Sequence, residues 1–172
     1  MKPFLVGYMG CGKSTLGRKL ARRLGVGFVD TDALVEEQEG ASVADVFRYE
    51  GEARFREAER EALERAIAAG GETVVSTGGA PHLERQHAAH ERRGAYRLPA
   101  PHCGANRPPP EPLRTPETSP LAGLDDAGLV AFMERDMAVR EPFYAQAHLV
   151  VDCDAMSDDQ VVEHILRQLG LK

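Results

Sequence analysis

The sequence lacks three features that would each indicate a different class of protein. No apolar run approaches the roughly 20 residues of a membrane span, and the N-terminus lacks the long apolar core of a signal peptide. Cysteine is scarce, and Cys11, Cys103 and Cys153 stand at no metal-ligand spacing. Basic residues are not in excess, because 21 Lys and Arg are outnumbered by 27 Asp and Glu, for a net charge of -6. We therefore predict a reduced, cytoplasmic protein whose partner is neither a membrane nor a nucleic acid.

What the sequence contains is an alternation of short apolar strands with helices over 172 residues, a length that fits one domain. The predicted strands lie in PFLV, VGFVDTD, TVVSTGGAP, GAYRL and AHLVVDCD. The first predicted helix ends at Gly25, and the others lie in ALVEEQEG, SVADVF, EARFREAEREALERAIAAG and SDDQVVEHILRQLG. This order predicts an α/β fold with a parallel sheet covered on both faces.

The segment 97–120 interrupts the alternation. It reads RLPAPHCGANRPPPEPLRTPETSP and holds most of the 11 prolines of the chain. Proline removes backbone donors and blocks helix interiors, so we predict no helix of useful length here. A loop this long inside a compact domain is typically either functional or disordered.

The stretch GYMGCGKST follows the first predicted strand and matches the pattern G-x-x-x-x-G-K-[ST] of a phosphate-binding loop. Its glycines allow backbone N–H groups to turn inward around an anion, and the following helix adds the positive end of its dipole. We expect Lys13 to reach the β- and γ-phosphates of a nucleotide and the Ser14 hydroxyl to bind Mg²⁺. The candidate nucleotide-binding residues are Gly10, Cys11, Gly12, Lys13, Ser14 and Thr15. Cys11 either fills a permissive position or makes the loop sensitive to thiol oxidation.

Two aspartates, Asp30 and Asp32, close the second predicted strand, at the sheet edge where open α/β proteins bind ligands. Alternate residues of a strand share a face, so both carboxylates are expected in one cleft. One would organise the water shell of a metal, and the other would accept a proton from a hydroxyl. The alternative, equally supported by the spacing, is that Asp30 or Thr31 only caps the next helix.

Other candidates are ambiguous from their local sequence. Arg56 stands among glutamates on a long helix, where i, i+4 pairs on a solvated face are the common arrangement. Gly78 and Gly79 form either a site of close backbone approach or an ordinary exit from a strand. Arg140 precedes Pro142, which we predict ends a helix, so local sequence favours a helix-end charge over a ligand.

Taken in order, the motifs resemble shikimate kinase. The residues that carry the resemblance are GYMGCGKSTLGRKLA, FVDTDALVEE, SVADVFRYEGEARFREAE, VVSTGGAP and REPFYAQAHLVVD. The resemblance covers the chain from Phe4 to about Pro81 and resumes at SPLAG. It implies a three-layer P-loop fold of the nucleoside-monophosphate-kinase type with a five-stranded parallel sheet. It further implies a monomeric enzyme that transfers the γ-phosphate of ATP, with Mg²⁺, to the 3-hydroxyl of shikimate.

The resemblance also implies roles for single residues. Asp32 matches the aspartate that binds the ring hydroxyls and is a candidate base, and Asp30 matches the residue that holds Mg²⁺ through water. Arg56 and Arg140 match the arginines that grip the substrate carboxylate, which suits the forked geometry of a guanidinium. Gly78 and Gly79 match the glycine segment whose backbone N–H groups contact the substrate.

The chain departs from the family pattern at three places. It has two consecutive glycines where the family has three, and Ser119 stands where the lid of the family carries an arginine that reaches the phosphates. Arg107 and Arg114 are possible substitutes. The whole proline-rich segment is the third departure, and either a diverged lid or a slipped reading frame would account for it. Two other functions therefore stay open: a gluconate-type small-molecule kinase and a pseudokinase impaired in its lid.

Overall fold

A computed structural model describes residues 2–8, 10–78, 95–97, 125–144, 147–151 and 156–170. Its strands form one parallel sheet in the order β2-β3-β1-β4-β5. Their bounds are β1 (Phe4–Val6), β2 (Gly27–Asp30), β3 (Thr73–Ser76), β4 (Ala95–Arg97) and β5 (Leu149–Val150). The predicted α/β fold with a parallel sheet is confirmed.

The helices follow the strands as the periodicity predicted. They are α1 (Lys13–Leu24), α2 (Thr31–Glu39), α3 (Val43–Asp45), a π-helical turn (Val46–Glu50), α4 (Gly51–Ala68), α5 (Asp126–Tyr144) and α6 (Asp158–Gln168). Gly25 and Gly40 end α1 and α2 in the left-handed conformation. Ser42 caps α3, and Ser157 forms a capping box with Gln160 at the start of α6. Within the described ranges, no helix combines the length and apolarity needed to cross a membrane.

Helices cover both faces of the sheet because successive strand residues point in opposite directions. Leu5 and Val74 face one side, where they pack with Leu16 of α1 and Ile165 of α6. The neighbouring residues Phe4 and Val75 face the other side, where they pack against α4; Leu63 is part of that cluster. The result is three layers, with the phosphate loop at the end of the central strand β1.

Two local predictions were wrong. Asp32 does not continue the second strand, because Asp30 caps a helix that begins at Thr31 and places Asp32 in its first turn. Pro142 does not end its helix, since α5 continues through it to Tyr144. Tyr144 is buried against Tyr8 and Met133, and this burial explains why the last turn forms despite the proline. Of the predicted loop 97–120, Arg97 is the last residue of β4, and residues 98–120, which include Cys103, lie outside the described residues, as does Cys153.

Candidate active site

The phosphate loop has the backbone conformation that its glycines predict. Gly10 has φ 73°, and Gly12, which precedes α1, has φ 87°. A residue with a Cβ is strained in this left-handed region, so the turn depends on glycine. The first turn of α1 carries Ser14 and Thr15, and its N–H groups point back toward the loop. The loop and helix start therefore present donors to an anion.

Lys13 is folded back into its own loop. Its ammonium donates to the carbonyl oxygens of Gly7, at 2.8 Å, and Tyr8, at 2.7 Å, and lies 3.8 Å from the Cys11 sulfur. The side chain is buried, so its charge is held where water screens it poorly. A phosphate entering the loop would compete with these carbonyls for the same donors.

Asp30 caps the next helix, which is one of the roles that the sequence left open, and it also contacts the phosphate loop. Its Oδ1 accepts from the Asp32 backbone N–H at 3.1 Å, which caps α2, and its Oδ2 accepts from the Ser14 hydroxyl at 2.5 Å. The carboxylate thereby joins the end of β2 to the phosphate loop, where the two predicted metal-binding residues meet.

The residues at this junction fit Mg²⁺, which prefers oxygen ligands and keeps several waters. Ser14 and Asp30 supply oxygens, and Ser76, paired in register with Asp30, has a buried hydroxyl with no hydrogen-bond partner in the described residues. Among all the residues that the structure describes, no group of three or more His, Cys, Asp or Glu could hold a metal. The donor set therefore suits an ion held through water and phosphate oxygens.

Asp32 is an unusually basic carboxylate. Burial, with the neighbouring negative charges of Asp30 and Glu59, raises its pKa from 3.8 to about 6, while the Lys13 ammonium opposes the rise. It therefore stays ionised at neutral pH, yet accepts a proton more readily than an exposed aspartate. These are the properties that a general base requires.

Gly78 lies where the chain has no room for a side chain. A Cβ there would stand 2.6 Å from Glu59 Oε1 and 2.9 Å from Asp32 Oδ1. Its N–H donates to the Thr31 hydroxyl at 2.9 Å, so in this structure the group is used within the protein. The close approach expected at the glycine segment is present, and the N–H contact from Gly78 to a substrate stays a prediction. Gly79 lies outside the described residues.

Arg56 is held from both sides by acidic residues of its own helix. Its Nη1 bonds to Glu59 at 2.7 Å, and its Nε and Nη2 lie 3.3 and 3.1 Å from one oxygen of Glu52. The guanidinium also lies 5.2 Å from the ring centre of Phe55. Glu59 is buried, whereas Glu52 is exposed, so the two ion pairs sit in different environments.

Arg140 is held by a carboxylate and an aromatic ring. Its Nε and Nη2 each lie 2.9 Å from an oxygen of Asp136, one turn earlier on α5, in a forked arrangement. Its guanidinium lies 5.3 Å from the ring centre of Tyr8, and the Tyr8 hydroxyl donates to Asp136 at 2.7 Å. Burial and the Asp136 carboxylate raise the pKa of Tyr8 well above its usual range, so the phenol remains a donor.

The structure brings the predicted residues together in two groups beside the phosphate loop. Asp32, Gly78 and Arg56 meet around Glu59, and Arg140 meets the loop at Tyr8. The lid position Ser119 and the candidate substitutes Arg107 and Arg114 lie outside the described residues.

Sequence reasoning missed three residues that hold the site. Glu59 had a readable signal, because it falls on the same helical face as the buried Phe55 and Ala62, where an acidic residue is unexpected. Asp136 carried a weak signal as an acidic residue four positions before Arg140. Tyr8 carried none, since its partner Asp136 is 128 positions away.

Comparison with known proteins identifies relatives over nearly the full chain. A family model described as shikimate kinase matches residues 9–96, which ends immediately before the proline-rich segment. A shikimate kinase of Symbiobacterium thermophilum is 40% identical over 173 residues, covering 98% of this chain and 96% of its own. The crystal structure of shikimate kinase from Bacteroides thetaiotaomicron has a TM-score of 0.80 at 30% identity and covers 99% of both chains.

A second solved structure carries a ligand. It is a shikimate kinase from Acinetobacter baumannii in complex with shikimate, with a TM-score of 0.78 at 25% identity, covering 98% of this chain and 92% of that one. The family match includes just over half of this chain, and the relatives extend the similarity to nearly its full length. The chain therefore belongs to the shikimate kinase family.

Proposed function

We propose that this protein transfers the γ-phosphoryl group of ATP to the 3-hydroxyl of shikimate, giving shikimate 3-phosphate. The observation that carries the proposal is the place of Asp32, a basic carboxylate beside both the phosphate loop and the Glu59–Arg56 pair. A group that accepts a hydroxyl proton thus lies between a binding site for phosphates and a cation for a carboxylate.

In this proposal, the loop residues bind the nucleotide. Backbone N–H groups from Gly10 to Thr15 surround the phosphates, and Lys13 exchanges its carbonyl partners for phosphate oxygens. Ser14 and Asp30, whose side chains are hydrogen-bonded to each other, would hold Mg²⁺, the serine directly and the aspartate through water. Bound there, the ion would neutralise phosphate charge that develops during transfer.

The organic acid is bound on the other side of Asp32. Arg56 and Arg140 grip its carboxylate, and Asp32 accepts hydrogen bonds from its ring hydroxyls and then the proton of the reacting one. Gly78 contributes by lacking a side chain, which leaves space next to Asp32 and Glu59. Gly79 is the proposed source of the backbone N–H contact. Transfer itself needs positioning and charge neutralisation more than covalent help.

The test is an ADP-release assay with purified full-length protein, ATP and Mg²⁺, run with shikimate, with gluconate and with neither. We expect ADP release that depends on shikimate and is lost in Lys13→Met. Turnover with gluconate alone would instead identify a gluconate-type kinase. Binding of both ligands without turnover would identify the lid-impaired pseudokinase. The comparisons favour neither of these alternatives.

We also propose that the chain acts as a cytoplasmic monomer forming a single domain, with the segment 97–120 in the position of a lid. Among the described residues, the exposed large apolar side chains are Tyr49, Val139 and Val150, on three different elements. Such scattered residues do not form the contiguous patch typical of a subunit interface. Sedimentation equilibrium of the full chain would test the monomer directly.

A further inference from the structure

Tyr8 contacts both halves of the proposed site through different atoms. Its backbone carbonyl accepts from the Lys13 ammonium at 2.7 Å, and its hydroxyl donates to Asp136 at 2.7 Å. The ring between them is buried, 1% exposed, and packs with Met133 and Tyr144. A residue packed this tightly cannot move at one end without moving at the other.

Asp136 contacts both Tyr8 and Arg140, so it restricts the position of the arginine side chain as well. The carboxylate accepts from the tyrosine and from two nitrogens of the guanidinium, so it fixes the plane in which the arginine lies. The Asp136 and Arg140 side chains are 19% and 14% exposed, so water screens the pair less than it would at the surface. Stacking on the Tyr8 ring fixes the guanidinium from its face.

Lys13 connects the nucleotide site to the contacts between Tyr8, Asp136 and Arg140, because its ammonium bonds to the Tyr8 carbonyl. Nucleotide phosphates compete with the Gly7 and Tyr8 carbonyls for the lysine ammonium. Withdrawal of the lysine would remove a hydrogen bond from the Tyr8 carbonyl. The buried Tyr8 side chain connects this peptide to Asp136, and Asp136 in turn contacts Arg140.

We propose that Tyr8 and Asp136 are positioning residues that couple nucleotide binding in the phosphate loop to the orientation of Arg140, and hence to binding of the organic acid. The proposal rests on the function proposed above, in which Arg140 binds the carboxylate. Coupling of this kind is reciprocal, because each ligand must change the affinity of the other by the same factor.

The experiment measures the coupling factor by calorimetry. The dissociation constant of shikimate is determined with and without a saturating non-hydrolysable ATP analogue and Mg²⁺, and the ratio is the factor. We expect a ratio of about 5 to 10 in the wild type, at the lower end of common allosteric couplings. In Tyr8→Phe, which keeps the ring and removes only the hydroxyl, we expect the ratio to approach about 1.

A second variant tests the same link from α5. Asp136→Asn keeps the size of the side chain and its acceptor oxygen but removes the charge that orients Arg140, so we expect the coupling ratio to fall here also. If Tyr8→Phe does not fold, Asp136→Asn tests the proposal by itself. Matched controls are Tyr49→Phe, which removes a phenol from an exposed ring, and Glu134→Gln, which removes a charge from an exposed position of α5. Both controls should keep the wild-type ratio.

The results separate the two proposals. A lower ratio in both variants, with the wild-type ratio retained in both controls, supports the coupling through Tyr8 and Asp136, because a merely structural defect would not alter the ratio selectively. A wild-type ratio of 1, or an unchanged ratio in the variants of an active enzyme, overturns it. Absence of shikimate binding and of shikimate-dependent ADP release in the wild type overturns the proposed function itself.

Discussion

Arg56 and Arg140 are expected to bind the same carboxylate, yet the chain holds them in different ways. Arg56 is paired with Glu52 and Glu59, one helical turn to either side on α4. Arg140 has one such neighbour, Asp136, and a second contact with Tyr8 from the phosphate loop. The Arg56 setting is thus fixed mainly by one helix, whereas the Arg140 setting exists only once two distant segments have packed together.

The acidic residues of the two settings also differ in what they contribute. On the Arg56 side, Asp32 and Glu59 lie together against Gly78, and burial, with the charges of Asp30 and Glu59, raises the pKa of Asp32. On the Arg140 side, Asp136 accepts hydrogen bonds from an arginine and a tyrosine. The first arrangement costs folding free energy to keep a base available, and the second contributes stability while it orients a cation.

The largest effect is expected from Asp32→Asn, which we predict lowers kcat by about 10³-fold, within the range typical of general bases. The same change should raise the free energy of unfolding at pH 8 by about 2 to 3 kcal/mol. The raised pKa means that the folded state binds the proton more tightly, so the ionised carboxylate is a penalty fully present above pH 6 and absent below pH 3.8. Urea denaturation at pH 8 and pH 4 measures the gain and its disappearance.

Asp136→Asn is the counterpart in this experiment. It should lower the free energy of unfolding by about 1 to 2 kcal/mol, because the arginine and the tyrosine then donate to a neutral acceptor instead of a charged one. If both substitutions change stability in the same direction, the contrast between the two settings is wrong.

The next largest effect concerns the arginines. Arg56→Met and Arg140→Met should each weaken shikimate binding by about 100-fold, because each removes a charged partner of the carboxylate. Only Arg140→Met should also change nucleotide affinity, since only Arg140 lies on the Tyr8 ring. Calorimetry with each ligand alone measures both constants, and Arg60→Met is the control, as an exposed arginine of α4 paired with Glu64. Equal effects of the two variants on nucleotide affinity would contradict the comparison.

A smaller effect is expected on the pH dependence of kcat/KM. Activity should fall as the pH drops through about 6, where Asp32 becomes protonated. The charges that act on it are Asp30, Glu59 and Glu36, which raise its pKa, and Lys13, which lowers it. Glu59→Gln removes one of the negative charges, so the acidic limb of the profile should move to lower pH.

Asp136→Asn serves as the matched control for this profile, because Asp136 is not among the groups that act on Asp32. The acidic limb of the Asp136→Asn profile should stay at the same pH as in the wild type, even though kcat/KM falls. A shift of equal size in both variants would mean that the two settings are not electrostatically separate.

The smallest effect is expected from Glu52→Gln. Glu52 is exposed, and an i, i+4 ion pair of this kind contributes about 0.3 to 0.5 kcal/mol. We predict a loss of that size in thermal unfolding and a change in the shikimate KM of no more than about 2-fold. Glu64→Gln, in the equivalent pair with Arg60, should give the same stability loss with no change in KM. A KM change of 10-fold in Glu52→Gln would show that the exposed partner matters as much as the buried one.

The part of the site that could be predicted is the part with local signals. The glycine pattern placed Lys13 and Ser14, and the resemblance to a family assigned Asp32, Arg56 and Arg140 to a substrate. The conformation around Asp32 was missed because the spacing of Asp30 and Asp32 fits a strand face and a helix cap equally well. The helix was wrongly predicted to end at Pro142, because burial of Tyr144 outweighs the local cost of proline.

The sequence by itself determined the phosphate loop, the alternation of strands and helices, and the ion pairs within α4, because each depends on residues a few positions apart. Only the tertiary structure decided that Tyr8 meets Asp136, that Glu59 is buried beside Gly78, and that Asp32 is unusually basic. These features depend on burial and on distances between segments. Both are fixed when β1 takes its place between β3 and β4 in the sheet, because this brings remote parts of the chain to one edge of the sheet.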